Sequence, residues 1–160
     1  MIMKSVFKPH HFMDFLHEMA ENNGTFDTFS PYGHVMGYYG NCLSAGEIDT
    51  VVFTCGADDA CKPCRKLVDG ICTDVFDAAT AARYQCDRKY DYNRGLDLAF
   101  EQALPEIFSF DTERSIDDVY AQLKELLTPE IIQLNWPREN RVELTMKGLE
   151  MAMRAREKRV

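Results

Sequence analysis

The sequence predicts an α+β fold: a helix-rich single domain with a small strand content and a cysteine-bearing loop after a central strand. Three observations support this prediction. Apolar residues recur at helical spacing in several segments, a β-branched segment at 49–54 is typical of a strand, and four cysteines follow it between positions 55 and 72. The 160 residues, 46% of them hydrophobic, can bury one core, so we expect residues 1–160 to form one domain.

The first predicted element is a helix at Pro9–Glu21. Proline suits the first turn of a helix, and the Asn-Asn-Gly sequence that follows is a typical stop signal. Between these two signals, apolar residues are spaced to cover one helix face at Phe12, Phe15, Leu16 and Met19. Residues 25–33 are then predicted to be a loop, and residues 34–39 a short helix or an irregular aromatic segment.

The strand predicted at 49–54 leads directly into the cysteine loop. After that loop, Thr73 or Asp74 is predicted to cap a helix that extends to about Arg88. Another helix is predicted at 95–104, where a proline ends it.

Two more helices are predicted in the C-terminal part of the chain. Ser115 and Asp118 resemble a capping box at the start of the first one. Its apolar stripe consists of Ile116, Val119, Leu123, Leu126 and Leu127. The last helix is predicted to start near Glu139, and its basic end complements a helix C-terminus.

The charge and the composition exclude several classes of partner. A net charge of −8 argues against nucleic acid, because binding depends on neutralising phosphates, and against an anionic membrane surface. No run of about 18 apolar residues occurs, and residues 1–17 do not resemble a signal peptide. We therefore predict a cytoplasmic protein whose six cysteines are reduced thiols or metal ligands.

Four of the cysteines lie close together in the middle of the chain. Cys61 and Cys64 are separated by two residues, a spacing that lets both thiolates bind one metal centre. Cys72 follows an Asp-Gly turn signal that can fold the chain back onto this pair, and Cys55 lies just upstream. The segment 55–72 therefore predicts a metal or iron–sulfur site with these four residues as candidate ligands.

The spacing favours an iron–sulfur cluster over zinc. Structural zinc sites usually combine two short-spaced pairs of ligands, and this chain has one Cys-x-x-Cys pair. Single cysteines at irregular spacing around one such pair are more typical of a cluster. We predict a [4Fe–4S] cluster with a redox or other protein partner whose identity the sequence leaves open. The alternative is a structural zinc module that supports a protein–protein interaction.

The first predicted helix carries a second set of candidate ligands. His10, Asp14 and His17 lie within about 60° of one another on the face opposite the apolar stripe, from ~100° per residue. Two imidazoles and a carboxylate suit a metal-dependent enzyme, which is a further alternative. A solvated polar face explains the same pattern. His11 lies at the rim of the apolar face and is better placed to reach the interior.

Two motifs resemble a family of small bacterial and archaeal proteins of unknown function that are suspected of binding an iron–sulfur cluster. The family has a basic residue, one further residue and two histidines, which correspond to Lys8-Pro9-His10-His11. It also has Gly-x-Asp-Asp-x-Cys-x-x-Cys, which corresponds to residues 56–64, followed by a glycine and a cysteine that match Gly70 and Cys72. The resemblance covers roughly residues 5–90 and implies cluster binding.

Two departures from the family pattern leave the fourth ligand open. Many members have a cysteine three residues after the second histidine, where this chain has Asp14. Many also have a cysteine group near the C-terminus, where this chain has Leu-Asn-Trp-Pro at 134–137. The candidates for the fourth ligand are therefore Cys55, Asp14 or a histidine.

Overall fold

The computed structural model describes residues 2–135 and 139–159. Helices dominate this part of the chain and the strands are short, which confirms the predicted helix-rich α+β class. In chain order the elements are β1 (Lys4–Phe7), α1 (Pro9–Glu21), α2 (Met36–Ser44), β2 (Thr50–Phe53), β3 (Leu67–Val68), β4 (Ile71–Cys72), α3 (Ala78–Tyr84), α4 (Lys89–Ala103), α5 (Pro105–Phe108), β5 (Glu113–Ser115), α6 (Ile116–Leu126), α7 (Pro129–Ile132) and α8 (Arg141–Glu157).

A three-stranded sheet with β2 at its centre positions the two segments that the sequence singles out. β1 pairs with β2 in parallel, with Lys4 opposite Thr50 and Phe7 opposite Phe53, and β5 pairs antiparallel with β2. Because β1 and β2 run in the same direction, their carboxyl ends lie at the same edge of the sheet. α1 starts just after β1 and the cysteine loop starts just after β2, so both begin at this edge.

The sheet packs against an aromatic core. Phe7 in β1 and Val51 and Phe53 in β2 are buried. The ring of Phe7 meets that of Phe15 edge-on at 5.2 Å, and the ring of Phe53 meets that of Phe108 edge-on at 4.9 Å. Edge-to-face contacts of this kind add to the free energy gained by burial. They fix α1 and α5 against the sheet.

α1 lies in the interior, and its polar face is covered as well as its apolar one. His10 and His17 are both buried. α8 packs along α1, and Gly148 comes so close that a Cβ at this position would overlap the Leu16 carbonyl oxygen. The interpretation of this face as solvated is therefore wrong for the two histidines, because neighbouring helices exclude water from it.

Local signals predict the boundaries of several elements. α1 spans the predicted residues, and β2 lies inside the predicted strand. The Ser115 hydroxyl accepts the Asp118 N–H at 3.5 Å and caps α6, as the capping pattern predicts. The uncertain segment at 34–39 is largely helical because it overlaps α2, and the last helix starts at Arg141.

The single helix predicted at 73–88 is wrong. Val75 forms an antiparallel bridge with Arg88, and only α3, between them, is helical. Asp77 caps α3, and Gln85 ends it in the left-handed conformation with φ of 53°. Pairing between the two flanks has overridden the helical propensity of the segment. α4 also starts earlier than predicted.

None of the described helices has the length and the apolar run that are needed to cross a membrane. Positions 136 and 137, part of the segment compared with the family's C-terminal cysteine group, lie outside the described residues.

Candidate metal centre

Asp58 connects the cysteine loop to the start of α1. Its side chain is 0% exposed. Oδ2 accepts the Lys8 backbone N–H at 2.8 Å, and Oδ1 accepts the Cys61 backbone N–H at 3.1 Å. Oδ2 also lies 2.7 Å from His11 Nδ1. One buried carboxylate therefore holds the end of β1, the first turn of α1 and the loop in a fixed relation.

His11, Asp58 and Cys61 form a group that is close enough to hold a metal ion. One ligand-type atom from each residue lies within 4.8 Å of the other two, and His11 Nδ1 is 4.0 Å from Cys61 Sγ. Nitrogen, oxygen and sulfur are the donors that ions such as zinc and ferrous iron accept. The structure thus brings together two of the predicted ligands, Cys61 and His11, and adds Asp58 to them.

His11 and Asp58 form an ion pair when the group holds no metal. Burial alone would lower the pKa of His11, but the charge and the hydrogen bond of Asp58 raise it, and the net pKa lies well above its ordinary value. Burial alone would raise the pKa of Asp58, but the charge and the hydrogen bond of His11 and the Lys8 amide lower it, and the net pKa is depressed. An imidazolium therefore faces a carboxylate beside the Cys61 thiol.

The ion pair predicts a pH-dependent stability in the metal-free protein. A raised histidine pKa stabilises the fold fully below about 6.5, and this contribution is lost as pH rises through the folded pKa. A depressed aspartate pKa stabilises it above about 4, and this contribution is lost as pH falls through the folded pKa. Removing one partner of a buried pair costs about 3 kcal/mol. The His11→Gln variant should show that loss in urea unfolding between about pH 4 and 6.5.

At alkaline pH the difference between wild type and His11→Gln should shrink, because His11 then releases its proton in the folded wild type as well. Unfolding curves measured after metal removal, at several pH values from 5 to about 9, test this prediction. A difference that stays constant over that range would contradict the ion pair.

A single ion fits the group after a small rearrangement. Tetrahedral bonds of about 2.0 to 2.3 Å hold neighbouring ligand atoms about 3.3 to 3.7 Å apart. The distance from His11 Nδ1 to Cys61 Sγ would shorten from 4.0 Å, and the distance from His11 Nδ1 to Asp58 Oδ2 would lengthen from 2.7 Å. The ion would also replace the proton on Nδ1, so binding here is favoured as pH rises.

Cys64 lies in a backbone turn with Cys61, and Cys72 lies in the hairpin that follows. The Cys64 N–H donates to the Cys61 carbonyl at 2.8 Å and closes a tight turn. The Asp-Gly pair at 69–70 takes left-handed φ angles of 51° and 78°, which suits a two-residue hairpin turn. The resulting β3–β4 hairpin sets Cys72 opposite Leu67. The turn predicted at Asp69-Gly70 is therefore present, whereas Cys64 and Cys72 are not members of the 4.8 Å group.

Cys55 and Asp14 are the other predicted ligands. Burial raises the pKa of the Cys55 thiol, and the charge of Asp97 raises it further, whereas the charges of Arg94 and Lys8 lower it. Asp14 accepts hydrogen bonds from Asn135 at 2.7 Å and from Arg141 at 3.4 Å. Neither Cys55 nor Asp14 belongs to the 4.8 Å group.

The predicted metal site of His10, Asp14 and His17 does not form as one group. His10 Nδ1 lies 2.8 Å from Asp97 Oδ1, whereas His17 Nε2 lies 3.9 Å from Glu21. The ligand atoms of the three residues are not all within 4.8 Å of one another. His10 and His17 point to different neighbours because they are separated by two turns of the helix.

A polar cavity of about 700 Å³ opens beside the group. α1 lines it with His10, His11 and Asp14, and Lys89 and Arg141 stand on its wall at the starts of α4 and α8. This volume is in the range of small-molecule sites. His11 is therefore shared between the candidate metal group and a space large enough for a ligand.

The sequence pattern does not reveal Asp58, which belongs to the candidate metal group, or Asp97, which contacts His10. The turn around Asp58 predicts exposure, yet its side chain is 0% exposed and that of Asp97 is 1% exposed. One signal for Asp58 is its spacing to Cys61, because an aspartate at the start of a turn accepts the N–H three residues on. For Asp97 the signal is its place beside Leu96 and before Phe100, on the buried stripe of α4.

No family model, no curated protein and no solved structure matches this chain. The functional conclusion therefore depends on the geometry of the site.

Proposed function

We propose that this protein is a metalloprotein whose centre is held by the cysteine loop and the start of α1. The observation that carries this proposal is the convergence of His11 Nδ1, a carboxylate oxygen of Asp58 and Cys61 Sγ within 4.8 Å. Burying an ionised carboxylate and an imidazole costs free energy unless each has partners. A metal ion would use all three groups.

We infer further that the centre is an iron–sulfur cluster with Cys61, Cys64 and Cys72 as ligands. A cluster holds its thiolates farther apart than a single ion does, because iron and sulfide lie between them. This agrees with cysteines that are close along the backbone but outside the 4.8 Å group. The resemblance of the two motifs to the suspected cluster-binding family supports the same inference.

His11 is the best candidate for a fourth ligand. Its Nδ1 lies 4.0 Å from Cys61 Sγ, whereas Cys55 and Asp14 are not members of the 4.8 Å group. In the alternative arrangement, the Nδ1–H of His11 stays hydrogen-bonded to Asp58 and His11 is not a ligand. Nδ1 then lies beside the Cys61 sulfur without binding iron. Either arrangement leaves one iron without a cysteine ligand, and such an iron can exchange ligands with a small molecule from the cavity.

The second candidate is a single zinc ion at His11, Asp58 and Cys61. It is favoured by the short separations in this group, which suit one tetrahedral ion better than a cluster. With three protein ligands, the fourth position would face water or a ligand in the cavity.

Anaerobic purification followed by analysis for iron, zinc and acid-labile sulfide distinguishes these candidates. The expected result is a brown protein with a broad absorption band near ~400 nm that dithionite bleaches, and with comparable amounts of iron and sulfide. A colourless protein with about one zinc per chain would reject the cluster and support the second candidate. A protein that binds neither metal would overturn both.

A further inference from the structure

His10 and His11 are held in the same way by two different carboxylates. His10 Nδ1 lies 2.8 Å from Asp97 Oδ1, and His11 Nδ1 lies 2.7 Å from Asp58 Oδ2. Both carboxylates are buried. Histidines that bind metals almost always donate their other ring N–H to a carboxylate, a carbonyl or a water, which fixes the tautomer and the ring orientation. Each ring therefore keeps Nε2 for a ligand.

Both rings also border the same cavity. Their centroids are 4.3 Å apart, and both residues line the cavity of about 700 Å³. His10 is 5% exposed, and its hydrogen bond to Asp97 uses Nδ1. Among the hydrogen bonds of the described residues, none involves His10 Nε2. Nε2 is therefore the ring nitrogen of His10 that its bond to Asp97 leaves available to a ligand.

We propose that Nε2 of His10 and Nε2 of His11 bind one divalent ion of the Zn²⁺, Co²⁺ or Fe²⁺ class at the wall of this cavity. Asp97 and Asp58 are the positioning residues of this site, because each holds one ring through Nδ1. Asp14 lies one helical turn further along the same wall, and it would supply a carboxylate oxygen if its side chain gave up its hydrogen bonds from Asn135 and Arg141 and rotated towards the rings. Two imidazoles and one carboxylate leave positions open for water or substrate.

This site shares His11 and Asp58 with the group at the cysteine loop but uses the other nitrogen of the His11 ring. It needs none of the cysteines, and it uses Nε2 of His11, whereas the group with Asp58 and Cys61 uses Nδ1. It also differs from the predicted face of His10, Asp14 and His17, because the second imidazole comes from His11. Failure of the cysteine centre therefore leaves this proposal intact.

Cobalt titration of the protein with Cys61→Ser and Cys64→Ser isolates the second site. We expect one Co²⁺ per chain with weak visible bands and no near-ultraviolet charge-transfer band, since that band requires a thiolate ligand. Adding His10→Gln or Asp97→Asn should weaken Co²⁺ binding by about 10- to 100-fold. His17→Gln is the matched control on the same helix, and it should leave the affinity unchanged. Circular dichroism verifies that each variant is folded.

A second measurement uses the wild-type protein and does not depend on variants. On addition of Zn²⁺, long-range ¹H–¹⁵N spectra should show metal on Nε2 of two histidines while both Nδ1 atoms stay protonated. Zinc on Nδ1 of His11 would overturn this site and support the group with Asp58 and Cys61. Absence of Co²⁺ binding in the double cysteine variant, or an affinity that His10→Gln and Asp97→Asn leave unchanged, would also overturn it.

Discussion

Replacing Cys61 and Cys64 together by serine is expected to remove the bound iron and the acid-labile sulfide completely. The two residues supply two of the three proposed thiolates, and a serine hydroxyl is a much poorer ligand of cluster iron than the thiolate it replaces. The turn that joins them is closed by a backbone hydrogen bond, from the Cys64 N–H to the Cys61 carbonyl, so the substitution leaves the loop conformation in place. Iron and sulfide analysis of protein purified anaerobically measures the effect.

Cys86→Ser is the matched control for this experiment. Cys86 lies outside the cysteine loop, and its Sγ donates a hydrogen bond to the Arg88 carbonyl at 3.3 Å, which a serine hydroxyl can also make. This variant should keep the iron and sulfide content of the wild type. Wild-type iron content in the double variant would contradict the assignment of Cys61 and Cys64 as ligands.

The second large effect is expected from Gly148→Ala. A Cβ at this position would overlap the carbonyl oxygen of Leu16, and this oxygen belongs to the backbone of α1 and not to a flexible side chain. α1 and α8 would therefore have to separate along their length. We expect a loss of more than about 3 kcal/mol of unfolding free energy, at the upper end of overpacking effects. Urea unfolding followed by circular dichroism measures this loss.

Gly95→Ala provides the comparison, because it makes the same change inside another helix. Apart from its chain neighbours and the backbone of its own helix, no atom of the described residues lies within 4 Å of a Cβ built on Gly95, which is exposed in α4. Alanine restricts the unfolded chain and favours the helix, so this variant should gain about 0.5 to 1 kcal/mol. If Gly148→Ala unfolded at the same urea concentration as the wild type, α1 and α8 would not be in such close contact.

The sequence predicts those elements whose signals are local. α1 has a proline at its start, an apolar stripe along its length and an Asn-Asn-Gly stop, and it spans the predicted residues. The hairpin that carries Cys72 follows from the Asp-Gly turn signal. By contrast, the segment at 73–88 has helical propensity, and its flanks nevertheless pair with each other, which no local pattern can reveal.

The candidate site shows the same difference between residues with local sequence signals and residues defined by long-range contacts. Cys61, Cys64 and Cys72 are predicted from their spacing because they are neighbours in sequence. Asp58 and Asp97 are not predicted, since their contacts with His11 and His10 span 47 and 87 residues. The polar pattern of α1 suggests a solvated face when α1 is considered alone. Only the packing of the neighbouring helices turns His10 into a buried residue with a carboxylate partner.

The parallel pairing of β1 with β2 determines when the candidate metal group can form during folding. His11 and Cys61 are 50 residues apart, and they meet only after β1 has found its register beside β2. Closing a loop of that length costs conformational entropy before any contact is gained, so we expect this pairing to form later than the local helices. The proposed metal would then be bound only by a chain in which β1 and β2 have already paired.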